Sequence, residues 1–304
     1  MATNGVRHSG MKIIERTDLN TEKWDALVHQ EQGSTFFSLS WYLDATAENW
    51  CVVTDDDFSF GMALPYSVRL GQETLYTPIF VRYLEYFGDR KQLLEALEMI
   101  NARFKNIQLH LRDNWKATSD PNYCFQRIDS KEERRSGSHA KRMLKKAEKA
   151  HLKVTQDLDY TKVLNIVQHE LENKIAGLDA SSSQALERLL KAAKEAKVLR
   201  IYSLENRGAI ACLEDEKQCL YLKGTTDKET KDRGGMYLLI DTVIEAALNQ
   251  GKVFDFGGSR AEGVRRFNKA LGGSDVVYFA FEEDNSPIWF KFAKRIRNTW
   301  KKYY

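Results

Sequence analysis

The stretch from Phe254 to Gly273 constrains the fold of this chain more than any other. An apolar strand pattern there ends in Gly257, Gly258 and Ser259. A helical pattern begins a few residues later, at Gly263. Because glycine has no side chain, the backbone at the end of this strand can approach a partner closely before the helix starts. The other interpretation is a tight strand-to-helix turn that binds nothing.

Length and composition describe a globular chain that is large for one domain. Its 304 residues predict two domains or one fused domain, because an ordinary domain has roughly 100–200 residues. No run reaches the ~18 consecutive apolar residues that a membrane span needs. A formal net charge of +3 is too small to indicate nucleic-acid binding by itself. Four cysteines without metal-binding spacing predict free thiols in a reducing cytoplasm: Cys51, Cys124, Cys212 and Cys219.

The order of helical and strand patterns indicates a repeated architecture. From residue 11 to 130 the patterns predict a strand, two helices, three antiparallel strands, a helix and a further strand. From residue 131 to 285 a basic helix comes first, and the same order of elements then runs again. We therefore predict two modules, 11–130 and 131–285, with a tag or disordered leader at 1–10 and a basic aromatic helix at 286–304.

Three stretches of sequence resemble the FemABX-like branch of the GNAT superfamily of acyltransferases. They are the segment Asp255-Phe256-Gly257-Gly258-Ser259 with Gly263, Phe267 and Leu271-Gly272 after it, the segment Ser38-Leu39-Ser40-Trp41, and the Lys-rich helix pattern from Ala140 to Leu152. The resemblance spans nearly the whole chain from Met11. It implies an α/β (α+β) fold of two tandem GNAT-like modules, that is, acyl-CoA N-acyltransferase-like modules, with mixed central sheets.

The resemblance also implies a chemistry. In this family an acceptor amine or hydroxyl attacks an activated acyl group, which is carried as an ester on tRNA or as a thioester on coenzyme A. Such a reaction needs positioning and a polarised carbonyl, with no metal and no tightly bound cofactor. The sequence is consistent with this chemistry, since it contains no HExxH pattern, no nucleophile elbow and only scattered histidines.

The same resemblance implies a set of site residues. Lys269, Phe267 and Ser259 are the implied catalytic residues. The family places its lysine directly after the phenylalanine, whereas this chain has Asn268 there and Lys269 one place later. The implied substrate-binding residues around them are Gly257, Gly258, Arg266, Tyr221 and Lys223.

Two further segments would suit phosphates. Arg233, Gly234 and Gly235 lead into a predicted helix whose first N–H groups lack partners within the helix, and they resemble the pyrophosphate loop of GNAT enzymes. A plain helix start is the alternative. The basic helix offers Arg142 and Lys145 to the phosphates of tRNA, of a nucleotide-linked acceptor or of anionic lipid. A solvated charged face is the alternative there.

The tail from residue 286 to 304 contains no acidic residue and combines aromatic residues with Lys and Arg. As a helix it would place Trp289, Phe292, Ile296 and Trp300 on one stripe, which is typical of a segment that lies at a membrane surface. This interpretation predicts a cytoplasmic protein at the inner face of the membrane. The alternative is that the stripe packs on the protein's own core.

The sequence therefore leads to one main hypothesis and two alternatives. The main hypothesis is a bacterial FemABX-like acyltransferase that moves an aminoacyl group from aminoacyl-tRNA, or another acyl group, to an amine or hydroxyl of a phosphate-bearing cell-envelope precursor. The first alternative is a coenzyme A-dependent N-acyltransferase that acts on a sugar, lipid or peptide amine. The second is a non-catalytic module that binds anionic membrane or nucleic acid.

Overall fold

The computed structural model describes residues 10–30, 35–114, 123–157, 159–172, 180–205, 207–258 and 261–292. The chain divides into two compact units. Unit 1 comprises Met1–Pro121 with Tyr278–Tyr304, and unit 2 comprises Asn122–Val277. Among the described helices, none is long and apolar enough to cross a membrane.

Unit 1 contains a mixed sheet covered by helices. Its elements are β1 (Lys12–Glu15), α1 (Thr21–Gln30), α2 (Ser40–Thr46), β2 (Asn49–Thr54), β3 (Gly61–Arg69), β4 (Gln72–Tyr76), β5 (Tyr86–Phe87), α3 (Arg90–Arg103) and β6 (Asn106–Leu111). The strand order is β1-β2-β3-β4-β6, with β5 beside β3. All of these pairs are antiparallel except β4 and β6, which are parallel.

Helix α1 illustrates how the sequence builds this unit. Its apolar residues Trp24, Leu27 and Val28 have the i, i+3, i+4 spacing of one helix face, and all three are buried. Gly61 lies under them at the start of β3, where a Cβ would come within 2.7 Å of the Trp24 ring. The glycine therefore lets the helix lie directly on the sheet.

Unit 2 repeats this arrangement. Its elements are β7 (Tyr123–Ile128), α4 (Ser138–Lys149), β8 (Thr155–Asp157), α5 (Thr161–Glu172), α6 (Ala180–Glu195), β9 (Leu199–Leu204), β10 (Gly208–Glu214), β11 (Gln218–Thr226), α7 (Lys228–Asp232), α8 (Gly235–Asn249), β12 (Val253–Asp255), α9 (Glu262–Ala270) and the first part of β13 (Ser274–Asp284). The strand order is β7-β12-β11-β10-β9-β8. Only the β11 and β12 pair is parallel.

The two units share one order of elements. Each has a strand, a helical pair, three antiparallel strands, a helical crossover and then a strand parallel to the third of the three. This repeat confirms the predicted α/β fold with two tandem modules and mixed sheets. Helix α8 packs the core of unit 2 with Leu239, Ile240, Val243 and Ile244, which lie against buried residues such as Phe254.

The division between the units differs from the predicted boundary at residues 130 and 131. Strand β7 was not predicted, and it belongs to unit 2 because it pairs with β12. At the other end of the unit, residues 279–284 of β13 pair with β6 and so belong to unit 1. Residues 1–9 of the predicted leader and 293–304 of the predicted C-terminal helix lie outside the described residues.

The basic helix is also shorter than predicted, because α4 begins at Ser138 and not just after Lys131. The segment before it is tied to other elements of unit 2. The Gly137 N–H donates to the carbonyl of Ala270, and the Arg134 side chain pairs with Asp241 and Glu245 of α8. These bonds fix the segment in a non-helical course.

Candidate active site

A cavity of about 740 Å³ lies in unit 2 where β11 and β12 stop pairing. The two parallel strands pair over three residues only, Gln218–Leu220 against Val253–Asp255. The segments that follow, 221–226 and 256–258, both line the cavity. The volume falls in the range of about 300–1,000 Å³ that is typical of small-molecule sites.

The β11 wall presents a backbone edge. One edge of β11 stays paired with β10 as far as Thr226, in a register that skips Leu222. The opposite edge has β12 as its partner only up to Leu220. The hydroxyl Oγ1 of Thr226 is buried and has no hydrogen-bond partner among the described residues. This wall can therefore bond to an extended ligand that carries amide groups.

The glycine turn after β12 forms the second wall. Gly257 has φ +72°, and a Cβ there would lie 2.5 Å from the Tyr221 carbonyl oxygen. Its N–H donates to Oδ1 of Asp255 at 2.8 Å, which holds the turn. Gly258 is exposed and also lines the cavity. Ser259, an expected catalytic residue, lies outside the described residues.

Helices α8 and α9 supply an apolar wall. Val264 and Phe267 of α9 and Met236 and Tyr237 of α8 line the cavity. The rings of Tyr237 and Phe267 are 4.6 Å apart between centroids, and the Tyr237 ring meets the His139 ring of α4 at 5.5 Å. This wall gives the space next to the glycine turn an apolar side.

Asn268, and not Lys269, faces the cavity from the end of α9. Asn268 is buried, lines the cavity and donates from Nδ2 to Oε1 of Gln126 at 2.9 Å. Lys269 is not among the lining residues, and its Nζ lies 2.9 Å from Oδ2 of Asp275. Asp275 also accepts from Arg265 at 2.7 Å and from Gln126 at 2.8 Å. The lysine of the implied catalytic set thus belongs to an ion cluster that holds α9.

In the loop before α8, the glycines allow close packing and Lys231, not Arg233, lines the cavity. Gly234 has φ +89°, and a Cβ there would lie 2.3 Å from the carbonyl oxygen of Met143 in α4. A Cβ on Gly235 would lie 2.4 Å from Cγ2 of Thr230, so both glycines allow close packing. Arg233 is exposed and pairs with Glu229 at 2.9 Å, whereas Lys231 lines the cavity.

Tyr221 and Lys223 both line the cavity. The Tyr221 hydroxyl donates to the carbonyl of Gly224 at 3.0 Å, and burial raises its pKa, so the phenol stays protonated. Among the described residues that line the cavity, none is Asp, Glu or His. The described walls therefore offer positioning and backbone hydrogen bonds and no evident general base.

The remaining expected site residues lie apart from the cavity lining. Arg142 and Lys145 are exposed on α4, and Arg142 contacts Nδ1 of His139 at 2.9 Å. Arg266 is exposed on α9. The structure therefore brings together Gly257, Gly258, Phe267, Tyr221 and Lys223, and leaves the other described candidates outside the lining.

Comparison with known proteins identifies a domain within unit 2. The acetyltransferase (GNAT) domain family matches residues 134–269, a range that includes every residue that lines the cavity. Residues 134–269 therefore form an acetyltransferase (GNAT) domain. The search of curated protein sequences gave no match. This match indicates acyl transfer as the reaction class of that domain.

Several solved structures share the fold of this chain. FemX is 12% identical and covers 87% of this chain and 96% of its own, with a TM-score of 0.63. The C-terminal domain of a lysylphosphatidylglycerol synthetase from Agrobacterium fabrum, described as putative, is 9% identical over 87% of this chain and 91% of its own, with a TM-score of 0.54. A tandem GNAT protein from the clavulanic acid biosynthesis pathway is 12% identical over 91% and 99%, with a TM-score of 0.51.

Three residues that line the cavity were not among the site residues expected from the sequence: Lys231, Tyr237 and Asn268. Asn268 stands where the family pattern has lysine, so helix geometry alone would have indicated it. Lys231 lies in α7, a helix of five residues that was not predicted. Its start was visible in the sequence as Asp227, whose Oδ1 accepts from the Thr230 N–H and caps the helix.

Proposed function

We propose that the GNAT domain of unit 2 binds an acyl-coenzyme A donor along β11 and transfers the acyl group to an amine or hydroxyl. The observation that carries this proposal is the β11 edge from Tyr221 to Thr226, which lines a cavity after its pairing with β12 has ended. An extended carrier with amide groups can continue the hydrogen bonding of such an edge as an added strand would.

The far end of the cavity suits the phosphates of this donor. Helix α8 begins at Gly235, and the first N–H groups of a helix have no partner within it and attract anions. Met236 and Tyr237, in that first turn, line the cavity together with Lys231. The unpartnered Oγ1 of Thr226 adds a buried polar group on the same walls. These residues fit a phosphate-bearing carrier.

When bound, the donor would supply an activated thioester carbonyl. The chain's own part is to position that carbonyl against the acceptor and to keep water away from it. We assign the apolar screen to Phe267 and Tyr237 and the polarising contacts to backbone N–H groups of β11 and the glycine turn. We assign Lys269 a positioning part through Asp275, while the part of Ser259 stays a prediction from the family resemblance.

A second candidate is aminoacyl transfer from tRNA to a phosphate-bearing envelope precursor. The observation that favours it is the exposed basic face of α4, which carries Arg142 and Lys145 with three further lysines: Lys141, Lys146 and Lys149. A row of exposed cations on one helix suits a polyanion, and its binding should weaken steeply with salt.

Calorimetric titration of the full chain with acetyl-coenzyme A, and separately with deacylated tRNA, tests the two candidates. Val264→Trp narrows the cavity, and Val277→Trp is its matched control, since the two valines are 40% and 43% exposed and only Val264 lines the cavity. We expect saturable binding of acetyl-coenzyme A that is about tenfold weaker or more in Val264→Trp and unchanged in Val277→Trp.

The other outcomes are equally decisive. Binding of tRNA alone, lost on Arg142→Ala with Lys145→Ala, would replace the first candidate with the second. Equal losses in both valine variants would show that the cavity is not the donor site. At the phosphate end, Lys231→Ala should weaken donor binding by about three- to tenfold, and Arg233→Ala by less than about twofold.

A further inference from the structure

Three of the most exposed apolar side chains in the described part of the chain lie within five residues of each other. Ile288, Trp289 and Phe292 are 86%, 53% and 65% exposed. They lie on a helical turn that begins after Pro287, where the Phe290 and Lys291 N–H groups donate to the Pro287 carbonyl. Large exposed apolar side chains that cluster on a surface indicate an interaction site.

The outward orientation of this cluster is built into unit 1. Phe290, on the opposite side of the turn, is buried at 6% exposure, and Trp289 meets its ring edge-on at 5.7 Å. Nζ of Lys291 donates to the Asp284 carbonyl at 2.8 Å. The turn is thus anchored through Phe290 and Lys291. The alternative in which Trp289 and Phe292 pack on the protein's own core does not hold for these two side chains.

The charge of the surrounding sequence selects one kind of partner. Residues 286–304 hold six of the 46 Lys and Arg residues and none of the 43 acidic residues, so the rest of the chain has a formal net charge of −3. The positive charge of the whole protein therefore comes from this segment. The segment also holds two tryptophans, Trp289 and Trp300, and ends in two tyrosines. Tryptophan and tyrosine are the aromatic residues favoured where membrane meets water.

We propose that Ile288, Trp289 and Phe292 dock this protein on an anionic lipid surface. The three side chains would enter the boundary between headgroups and acyl chains, and the net positive charge of segment 286–304 would attract the anionic surface. A second copy of the chain would satisfy the apolar cluster but would bring a second set of cations against the first. An anionic bilayer offers an apolar region for the three side chains and negative charge for the basic segment. This inference does not depend on the acyl donor.

Vesicle flotation of the full chain, without donor or acceptor, tests the docking. One set of vesicles contains phosphatidylcholine alone and the other contains phosphatidylglycerol in addition. The test variant is Ile288→Ser with Trp289→Ser and Phe292→Ser. The control is Leu94→Ser, which removes a side chain that is 70% exposed on α3 of the same unit. A second variant, Lys294→Gln with Arg295→Gln, removes charge and keeps the apolar cluster.

We expect binding to the anionic vesicles only, with a loss of about tenfold or more in the triple variant and none in Leu94→Ser. The charge variant should bind less, and added salt should weaken binding of the parent chain. Equal binding by the triple variant and the parent would overturn the proposal, as would the absence of binding to anionic vesicles. A dimer in light scattering that the triple variant loses, without vesicle binding, would assign the cluster to a second copy.

Discussion

The two units use the same strand arrangement and complete it differently. In unit 1, β4 and β6 pair in parallel over Thr74–Tyr76 and Asn106–Gln108, which is three residues, as for β11 and β12 in unit 2. After Tyr76 the chain returns across the end of this pair. The Leu84 N–H donates to the His110 carbonyl at 2.8 Å, and the Arg112 N–H donates to the Leu84 carbonyl at 3.0 Å. Unit 1 thus covers with its own backbone the position that borders a cavity in unit 2.

Side chains complete this covering in unit 1. Leu84 is fully buried, and the Tyr42 hydroxyl donates to the Phe80 carbonyl at 2.6 Å. The buried Glu85 carboxylate accepts from the N–H and the hydroxyl of Thr35 and from Arg112. One strand topology can therefore end either in a covered strand pair or in a cavity. What differs is the segment that follows the third antiparallel strand.

Stability should fall most when the Leu84 side chain of the covering segment is shortened. Leu84→Ala should lower the free energy of unfolding by about 2–5 kcal/mol, because it leaves a cavity where packing is complete. Val264→Ala, at the 40%-exposed wall of the unit 2 cavity, should cost less than about 0.5 kcal/mol. Urea unfolding measures both values. Similar losses of stability in the two variants would mean that the covered strand end of unit 1 and the cavity end of unit 2 are packed alike, which would contradict the difference described above.

The second prediction concerns the glycine turn that lines the cavity of unit 2. Gly257, Gly251 and Gly71 all have φ +72°, but only Gly257 has a backbone atom close to the position of a Cβ. Alanine at Gly251 or Gly71 should cost about 1 kcal/mol for the left-handed conformation. Gly257→Ala should cost about 1–3 kcal/mol more, since the Tyr221 carbonyl must move. It should also weaken donor binding, as calorimetry would detect. Equal costs at all three positions would contradict the close contact.

Much of this fold could be predicted from the sequence because its signals are local. Alternating and helical patterns predicted the repeated order of elements that the structure shows. The sequence could not distinguish the end of β11 and β12, which borders a cavity, from the end of β4 and β6, which is covered. The segment after Tyr76 continues with apolar residues such as Ile79, Phe80 and Val81, although β4 ends at Tyr76. Its return across β6 depends on contacts with His110 and Arg112, which are distant in sequence.

The partner of Lys269 was unpredictable for a similar reason. Lys269 and Asp275 are separated by the turn at Gly272 and Gly273, and no helical or strand spacing relates them. The family pattern assigned the lysine to catalysis, whereas the geometry gives it to the ion cluster around Asp275. Prediction from the sequence selected two glycines that line the cavity, Gly257 and Gly258, because the turn they form is a local feature of the backbone. It was weakest for charged side chains, whose partners depend on the tertiary structure.

The smallest loss of stability is expected for the ion cluster around Asp275, which holds α9 at the cavity of unit 2. The wall of α9 in unit 2 depends on charge, since the Arg265 hydrogen bond, with help from Lys269 and Gln126, lowers the pKa of Asp275 despite partial burial. A carboxylate with a lowered pKa stabilises the fold above its unfolded pKa of about 4 and loses that contribution as the pH falls. Asp275→Asn should therefore cost about 1 kcal/mol at pH 7, with the difference from the parent shrinking below about pH 4.

Urea unfolding at a series of pH values tests this last prediction. Asp56→Asn is the control, because Asp56 pairs with Lys12 in unit 1 and is 58% exposed, so its loss should cost less than about 0.5 kcal/mol. Asp275→Asn should also weaken donor binding at pH 7, since Asn268 is held through Gln126 by the same carboxylate. A cost that stays constant down to acid pH would show that packing, and not charge, holds this wall, as it does the covered end in unit 1.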